Sequence, residues 1–213
     1  MVIISANQQV KSQIMNKIPS RLSPSRPAIC VFCGSSHGAD PIYTETARRF
    51  GTLLVEQGFD VVFGGGGVGL MGEVANAVSK AGGKILGIIP SFLRHVEVPA
   101  SVCSELVITE TMNDRKARMF AAADGFAILP GGLGTLDEFS EALTYAQLKL
   151  HAKPIVLVNV KNYFDPVIAL IDHFVAQGFA GASAKELFQV VPTVEDAVAI
   201  LAARLAPAKQ PVA

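Results

Sequence analysis

The chain of 213 residues is 50% apolar and 17% charged, with 19 Gly, 12 Pro and 3 Cys. It can therefore bury a sizeable core, which excludes a disulfide miniprotein, a collagenous chain and a disordered one. Eighteen basic residues balance eighteen acidic ones, so no whole-molecule field draws in a polyanion, which argues against nucleic acid as the main partner and favours a small ligand in a local site.

The first 26 residues carry Lys11, Lys17, Arg21 and Arg26 with no acid. They read as a flexible leader, faintly similar in composition to an organelle transit peptide. Residues 27–206 read as one nucleotide-binding catalytic unit and residues 207–213 as a tail. Ala28 to Gly34 is a short apolar run, and Asp40-Pro41 starts a helix that runs to about Gln57, a capping acid followed by the one helical position where proline is free. Phe59 to Phe63 is a second strand, followed by a glycine loop and a helix from about Leu70 to Ala81 that Gly82 and Gly83 terminate. Lys84 to Ile89 is a third strand, stopped by Pro90. This is also the longest apolar run, too short to span a bilayer. A polar loop through Glu97 leads to a strand at about Leu106 to Thr109. A helix from Met112 to Ala123, a strand from Gly125 to Leu129 and a helix from Thr135 to about Lys149 follow. The chain closes with a strand at Ile155 to Val158, a helix near Pro166 to Gln177, a short strand near Phe188 to Val191 and a last helix. The strands are continuous apolar runs, as expected when helices cover both faces. The expected fold is α/β, a Rossmann-like doubly wound parallel sheet, with its ligand at the carboxyl ends of the strands.

Three loops at those ends are rich in glycine or charge. Gly64-x-Gly66-x-x-Gly69 lies between a strand and a helix, yet the next strand ends in Gly87-Ile88-Ile89-Pro90, without the acid that would hold a dinucleotide's ribose. What remains is either a backbone able to approach an anion closely or a tight turn packed on the sheet. Pro130-Gly131-Gly132-Leu133-Gly134-Thr135-Leu136-Asp137-Glu138 puts glycines at the mouth of a helix, where unpaired amides and the helix dipole favour a phosphate. No Gly-Lys-Ser/Thr follows, so a monophosphate is expected. Glu138 has two readings. It can close a capping box with Thr135, or it can share a polar arc with Glu141 and Thr144, opposite a buried stripe of Leu136, Phe139, Leu143 and Ala146. Arg115 and Lys116 lie early in the preceding helix, where cations oppose the dipole unless an anion is bound; the alternative is a solvated face with an Asp114–Arg118 pair.

Cys30-x-x-Cys33 lies within a strand and reads as buried thiols, since a redox pair needs a helix start. His37 could extend it, but a fourth ligand is missing and no metal is expected. Cys30, Cys33 and Cys103 cannot pair completely, which points to a reducing, cytoplasmic compartment.

Taken together, Cys33-Gly34-Ser35-Ser36, the Gly64–Gly72 loop, Arg115-Lys116, Pro130-Gly131-Gly132-x-Gly134-Thr135-x-x-Glu138 and Thr144-Tyr145-Ala146-Gln147-Leu148 resemble, in order and spacing, the Lonely Guy family of cytokinin-activating phosphoribohydrolases. The resemblance covers roughly Ala28 to Ala180. It implies a homodimer that needs no cofactor and hydrolyses the N-glycosidic bond of a cytokinin riboside 5'-monophosphate, or of AMP, to free base and ribose 5-phosphate. By the same resemblance Glu97, Arg115, Lys116, Gly132, Leu133, Gly134, Thr135, Leu136, Asp137, Glu138 and Thr144 fall on substrate positions, joined by Ser35 and Gly131 from the loops, with Arg115 and Glu138 as the catalytic pair. Asn113 and Tyr145 depart from the family's usual His and Trp. Breaking a nucleotide's C1'–N bond builds positive charge on the ribose, and Glu138 is the carboxylate expected to steady it while Arg115 and Lys116 grip the phosphate. Two rivals stand beside this: a pyridoxal-dependent lysine decarboxylase using Lys116, and a noncatalytic nucleotide or cofactor carrier on the same fold.

Overall fold

Strand and helix alternate throughout a computed structural model that describes residues 22–23, 25–95 and 101–205. The elements are β1 (Ala28–Phe32), α1 (Pro41–Glu56), β2 (Asp60–Phe63), α2 (Gly69–Lys80), β3 (Ile85–Pro90), β4 (Glu105–Thr109), α3 (Met112–Ala122), β5 (Gly125–Ile128), α4 (Leu133–Gln147), β6 (Ile155–Val158), α5 (Asp165–Ala176), β7 (Gln189–Val191) and α6 (Val194–Leu205), with short 3-10 turns between some of them. All seven strands form one sheet in the order β4-β3-β2-β1-β5-β6-β7, and every pairing is parallel.

Alternate residues of each strand feed opposite layers. Ile29 and Val31 of β1 join Val61, Phe63 and Val156 beneath Phe50 and Leu54 of α1, Val74 and Val78 of α2 and Leu201 of α6. Ala28, Cys30 and Phe32 face the other way, with Val62, Phe126 and Ile128, against Met119 and Phe120 of α3 and Phe139 of α4. Helices therefore cover both faces of the doubly wound sheet that the apolar strand runs imply. The chain builds outward from β1 through β4, then returns to β5 on the other side of β1. The reversal opens a crevice between the carboxyl ends of β1 and β5, the place where such sheets take ligands.

Local chemistry sets the helix starts. Asp40 Oδ1 accepts from Ile42 N at 3.0 Å, and Thr111 Oγ1 accepts from Asp114 N at 3.1 Å, so α1 and α3 begin with side-chain caps. Three expectations need correction. β3 includes Pro90 instead of stopping before it, because beyond Gly87 the strand has only β4 as a ladder partner and proline's missing N–H costs little there. α4 begins at Leu133, not Thr135, with Gly132 as an N-cap that makes no side-chain bond. Thr135 is thus inside the helix, and the capping box with Glu138 does not exist. The buried face of α4 is Thr135, Glu138, Phe139 and Ala142, whereas Leu136, Leu143 and Ala146 are only partly buried. The stripe is rotated from the expected one because a carboxylate occupies part of it.

Before β1, Arg26 Nε donates to Gly58 O at 2.9 Å and sits 3.5 Å from the fully buried Asp60 carboxylate. Deeper in the second layer, Phe126 stacks on Phe32 at 5.8 Å and meets Phe120 at 4.8 Å. Phe126→Ala removes the centre of that cluster and should cost about 3–5 kcal/mol, read as a lowered urea midpoint with an unchanged m-value.

Candidate active site

The crevice is built backbone to backbone. Gly34 N donates to Pro130 O at 3.0 Å, joining the loops after β1 and β5, and Met71 N donates to Gly34 O at 3.3 Å. Gly69 opens α2 in the left-handed region (φ +58°), and a Cβ there would lie 2.2 Å from the Ser35 carbonyl carbon. Gly131 is held as closely, since its Cβ would meet Thr135 Oγ1 at 2.1 Å. These contacts bring Ser35 and the N-terminus of α4 to the two lips of one cleft. The cleft encloses about 160 Å³, and its walls include Ser35, Met71, Arg115, Thr135 and Glu138. Amides of the first turn of α4 lie at its edge, where the positive end of the helix dipole adds to their pull on an anion.

Arg115 lies across the floor and is 6% exposed, while Glu138 is 7% exposed. The guanidinium donates from Nε to Ile88 O at 3.1 Å and from Nη2 to Gly64 O at 3.2 Å. Its Nη1 lies 3.9 Å from Glu138 Oε1. A Cβ on Gly64 would stand 1.9 Å from Nη2, so the first glycine loop admits the arginine and offers it a carbonyl. Of the two sequence readings of this loop, neither is complete: Gly64 serves a cation, and Gly65, with φ +80°, packs on Ile88 and Ile89.

The structure brings together Ser35, Arg115, Gly132, Leu133, Gly134, Thr135 and Glu138 around the cleft. Gly131 lines an adjoining hollow of about 230 Å³ with Ser36, Leu70 and Tyr163. Lys116 is not in the cleft. Its Nζ lies 2.9 Å from Asp137 and 2.7 Å from Glu141, so its charge is turned to two carboxylates of α4 and not into the cleft. Burial alone would lower the Lys116 pKa, but those two carboxylates outweigh it and hold the ammonium above the usual lysine value. Leu136 packs partly against its surroundings and Asp137 is exposed. Thr144 is also exposed, and its hydroxyl bonds the Ser140 carbonyl at 2.8 Å, away from the cleft of its own chain. Glu97 falls outside the described residues. Burial, and next the Glu138 charge, push the Cys30 and Cys33 thiols up, which keeps both protonated; burial pushes Cys103 up to about 11. Sequence reasoning missed Met71 and Tyr163. Met71 follows the glycine loop and could have been found from its place at a helix start, whereas nothing in the sequence singles out Tyr163.

The sequence model of a family described as "Possible lysine decarboxylase" matches residues 71–201. The cytokinin riboside 5'-monophosphate phosphoribohydrolase LOG7 of Arabidopsis thaliana is 44% identical over 170 residues, covering 80% of this chain and 78% of that protein. LOG3 of the same plant is 40% identical over 190 residues, covering 89% and 86%. The chain belongs to the LOG family. Among solved structures, the molybdenum cofactor binding protein of Rippkaea orientalis aligns with a TM-score of 0.67 at 23% identity, over 86% of this chain and 100% of that one. The molybdenum cofactor carrier protein of Chlamydomonas reinhardtii aligns at 0.65 and 20%, over 85% and 99%. These two share the fold with this LOG family chain.

A methyl group at Gly64 cannot coexist with the Arg115 guanidinium in its present seat. Gly64→Ala should therefore destabilise the protein by about 3 kcal/mol, through a displaced cation that leaves buried acceptors and Glu138 without it. Adding Arg115→Met should recover part of that loss. Urea unfolding of the two single variants and the double measures the coupling, and equal costs for Gly64→Ala in both backgrounds would contradict the seat described.

Proposed function

We propose that this chain hydrolyses the N-glycosidic bond of cytokinin riboside 5'-monophosphates, and of AMP, to the free base and ribose 5-phosphate, with residues 27–206 as the catalytic unit. The observation that carries the reading is a carboxylate, Glu138, buried beside a fixed cation one turn inside a helix whose first turn is glycine-rich and lacks a side-chain cap. In this reading the 5'-phosphate sits on the amides at the start of α4, near Ser35, and one helical turn reaches from there to the ribose. As C1'–N breaks, the electron pair leaves with the base and positive charge grows on the sugar ring. Glu138 steadies that charge and takes the proton of the water whose oxygen joins C1'. Two of the three Arg115 nitrogens are committed to carbonyls and Nη1 lies between Met112 Sδ and Glu138 Oε1, so its main work is to hold the Glu138 carboxylate in place. Binding energy from the phosphate holds the sugar in a reactive position.

The description of the matching family names a lysine decarboxylase, an activity that would call for pyridoxal phosphate. The residues here do not fit that group. Its Schiff base needs a lysine that can shed its proton, and Lys116 is held protonated by two carboxylates outside the cleft. Among the described residues no other lysine lines the cleft or the adjoining hollow. A noncatalytic carrier would have no use for a buried carboxylate, whose desolvation costs several kcal/mol, so Glu138 favours the enzyme.

A homodimer is supported by apolar side chains left uncovered on the α4 and α5 side: Leu133 is 85% exposed and Phe179 is 89% exposed, with Leu148, Leu170 and Phe174 also exposed. A cytoplasmic setting is supported by three free cysteines. Among the described residues, no helix is long and apolar enough to cross a membrane.

Glu138→Gln keeps the side-chain volume and removes the charge. It should lower base release from AMP or isopentenyladenosine monophosphate by about 10²–10⁴-fold, with KM changed only a few-fold, as read by chromatography of the free base. Turnover near the wild-type rate would remove Glu138 from the chemistry.

A further inference from the structure

The loop after β6 takes a conformation that few side chains adopt. Lys161 (φ 51°, ψ 31°) and Asn162 (φ 59°) lie in succession in the left-handed region, where a Cβ crowds the backbone and glycine is the usual occupant. Two such residues in a row persist only where their surroundings over-determine them. Here Asn159 ties the base of the turn, its Oδ1 accepting from Phe164 N at 2.7 Å and its Nδ2 donating to Asp165 Oδ1 at 2.8 Å. Lys161 Nζ pairs with Asp40, the acid that caps α1. The turn delivers Tyr163 to the hollow that adjoins the cleft. Its ring meets Tyr43 edge-on at 5.5 Å and Phe164 at 4.9 Å, and its Oη donates to the Gly131 carbonyl at 2.6 Å.

That carbonyl belongs to the Gly131–Gly132 peptide, which leads into the N-cap of α4. Gly131 packs closely on Thr135 and Gly34, but nothing lies within 4 Å of where a Gly132 Cβ would be, so packing holds this peptide on one side only and glycine at 132 leaves the other free to turn. The bond is trans, which sets its N–H opposite its C=O. Holding the Gly131 carbonyl toward Tyr163 therefore turns the Gly132 amide away from the Tyr163 side. Gly132 lines both the hollow that Tyr163 shares and the cleft beyond it.

We propose that Tyr163 is a positioning residue of the anion site, whose hydrogen bond to Gly131 aims the Gly132 amide at the phosphate alongside the first-turn amides of α4. The inference rests on reading the cleft as a 5'-phosphate site. The strained turn at Lys161 and Asn162 is then the device that puts a tyrosine hydroxyl where the glycine loop cannot hold itself.

Tyr163→Phe keeps both ring contacts and removes only the donor. Its affinity for ribose 5-phosphate, measured by calorimetry, should fall about 5–10-fold, the size of one hydrogen bond. KM for AMP should rise by the same factor with kcat within about twofold, while kcat/KM for adenosine, which lacks the phosphate, stays unchanged and Tm moves little. Unchanged ribose 5-phosphate affinity and KM would overturn the proposal. So would an equal loss toward AMP and adenosine together with a lowered Tm, which would make Tyr163 a general structural residue. If the wild-type protein releases no base from any nucleotide but binds ribose 5-phosphate, the hydrolase reading fails and the affinity comparison alone decides the role of Tyr163; if it binds no ribose 5-phosphate either, both fail.

Discussion

A guanidinium buried at the carboxyl ends of the strands organises the rest of the site. Arg115 cannot shed its charge, and taking it and Glu138 out of water costs several kcal/mol for each ion. Their mutual attraction at 3.9 Å returns about 4 kcal/mol at an effective dielectric near 20, and the carbonyls of Ile88 and Gly64 supply further compensation. The pair thus comes close to breaking even, and stability does not account for its presence. A cation fixed by two backbone carbonyls beside one buried carboxylate is instead the arrangement on which the proposed hydrolysis draws.

The glycine loops serve this arrangement in different ways. Gly64 leaves room for the guanidinium, and Gly69 and Gly131 let the three loops pack at distances no side chain would allow. Gly132 starts α4 without a side-chain cap, and the peptide before it is bonded from outside by Tyr163. A larger cavity of about 560 Å³ opens at the other end of the sheet, where β6 and β7 begin, lined by Lys149, His151, Lys153 and Arg204. It lies where helices α4 and α6 end, so the dipoles there favour those cations and oppose a bound anion.

Most of the fold was legible because it follows from local rules: apolar runs of strand length, an Asp-Pro helix start at residue 40, and glycine stops after α2. The site was legible in part. Arg115, Glu138 and the Pro130–Thr135 loop stood out by charge and glycine content. The separation of Lys116 from Arg115 was not legible, because side chains one position apart on a helix point in different directions and only the fold turns Lys116 to Asp137 and Glu141. The helix start at Leu133 was missed because Thr135 mimics a cap, and only tertiary packing tells the two apart. Tyr163 was invisible, since its role depends on a strained turn far along the chain that no periodicity or spacing marks.

The proposed hydrolysis requires that a phosphate held by the amides at the start of α4 bring a ribose to Glu138. A crystal structure of the protein with ribose 5-phosphate tests it most directly. Phosphate oxygens are expected within hydrogen-bond distance of the amides between Gly132 and Thr135, with C1' beside the Glu138 carboxylate. A phosphate bound elsewhere, or a sugar pointing away from Glu138, would contradict it.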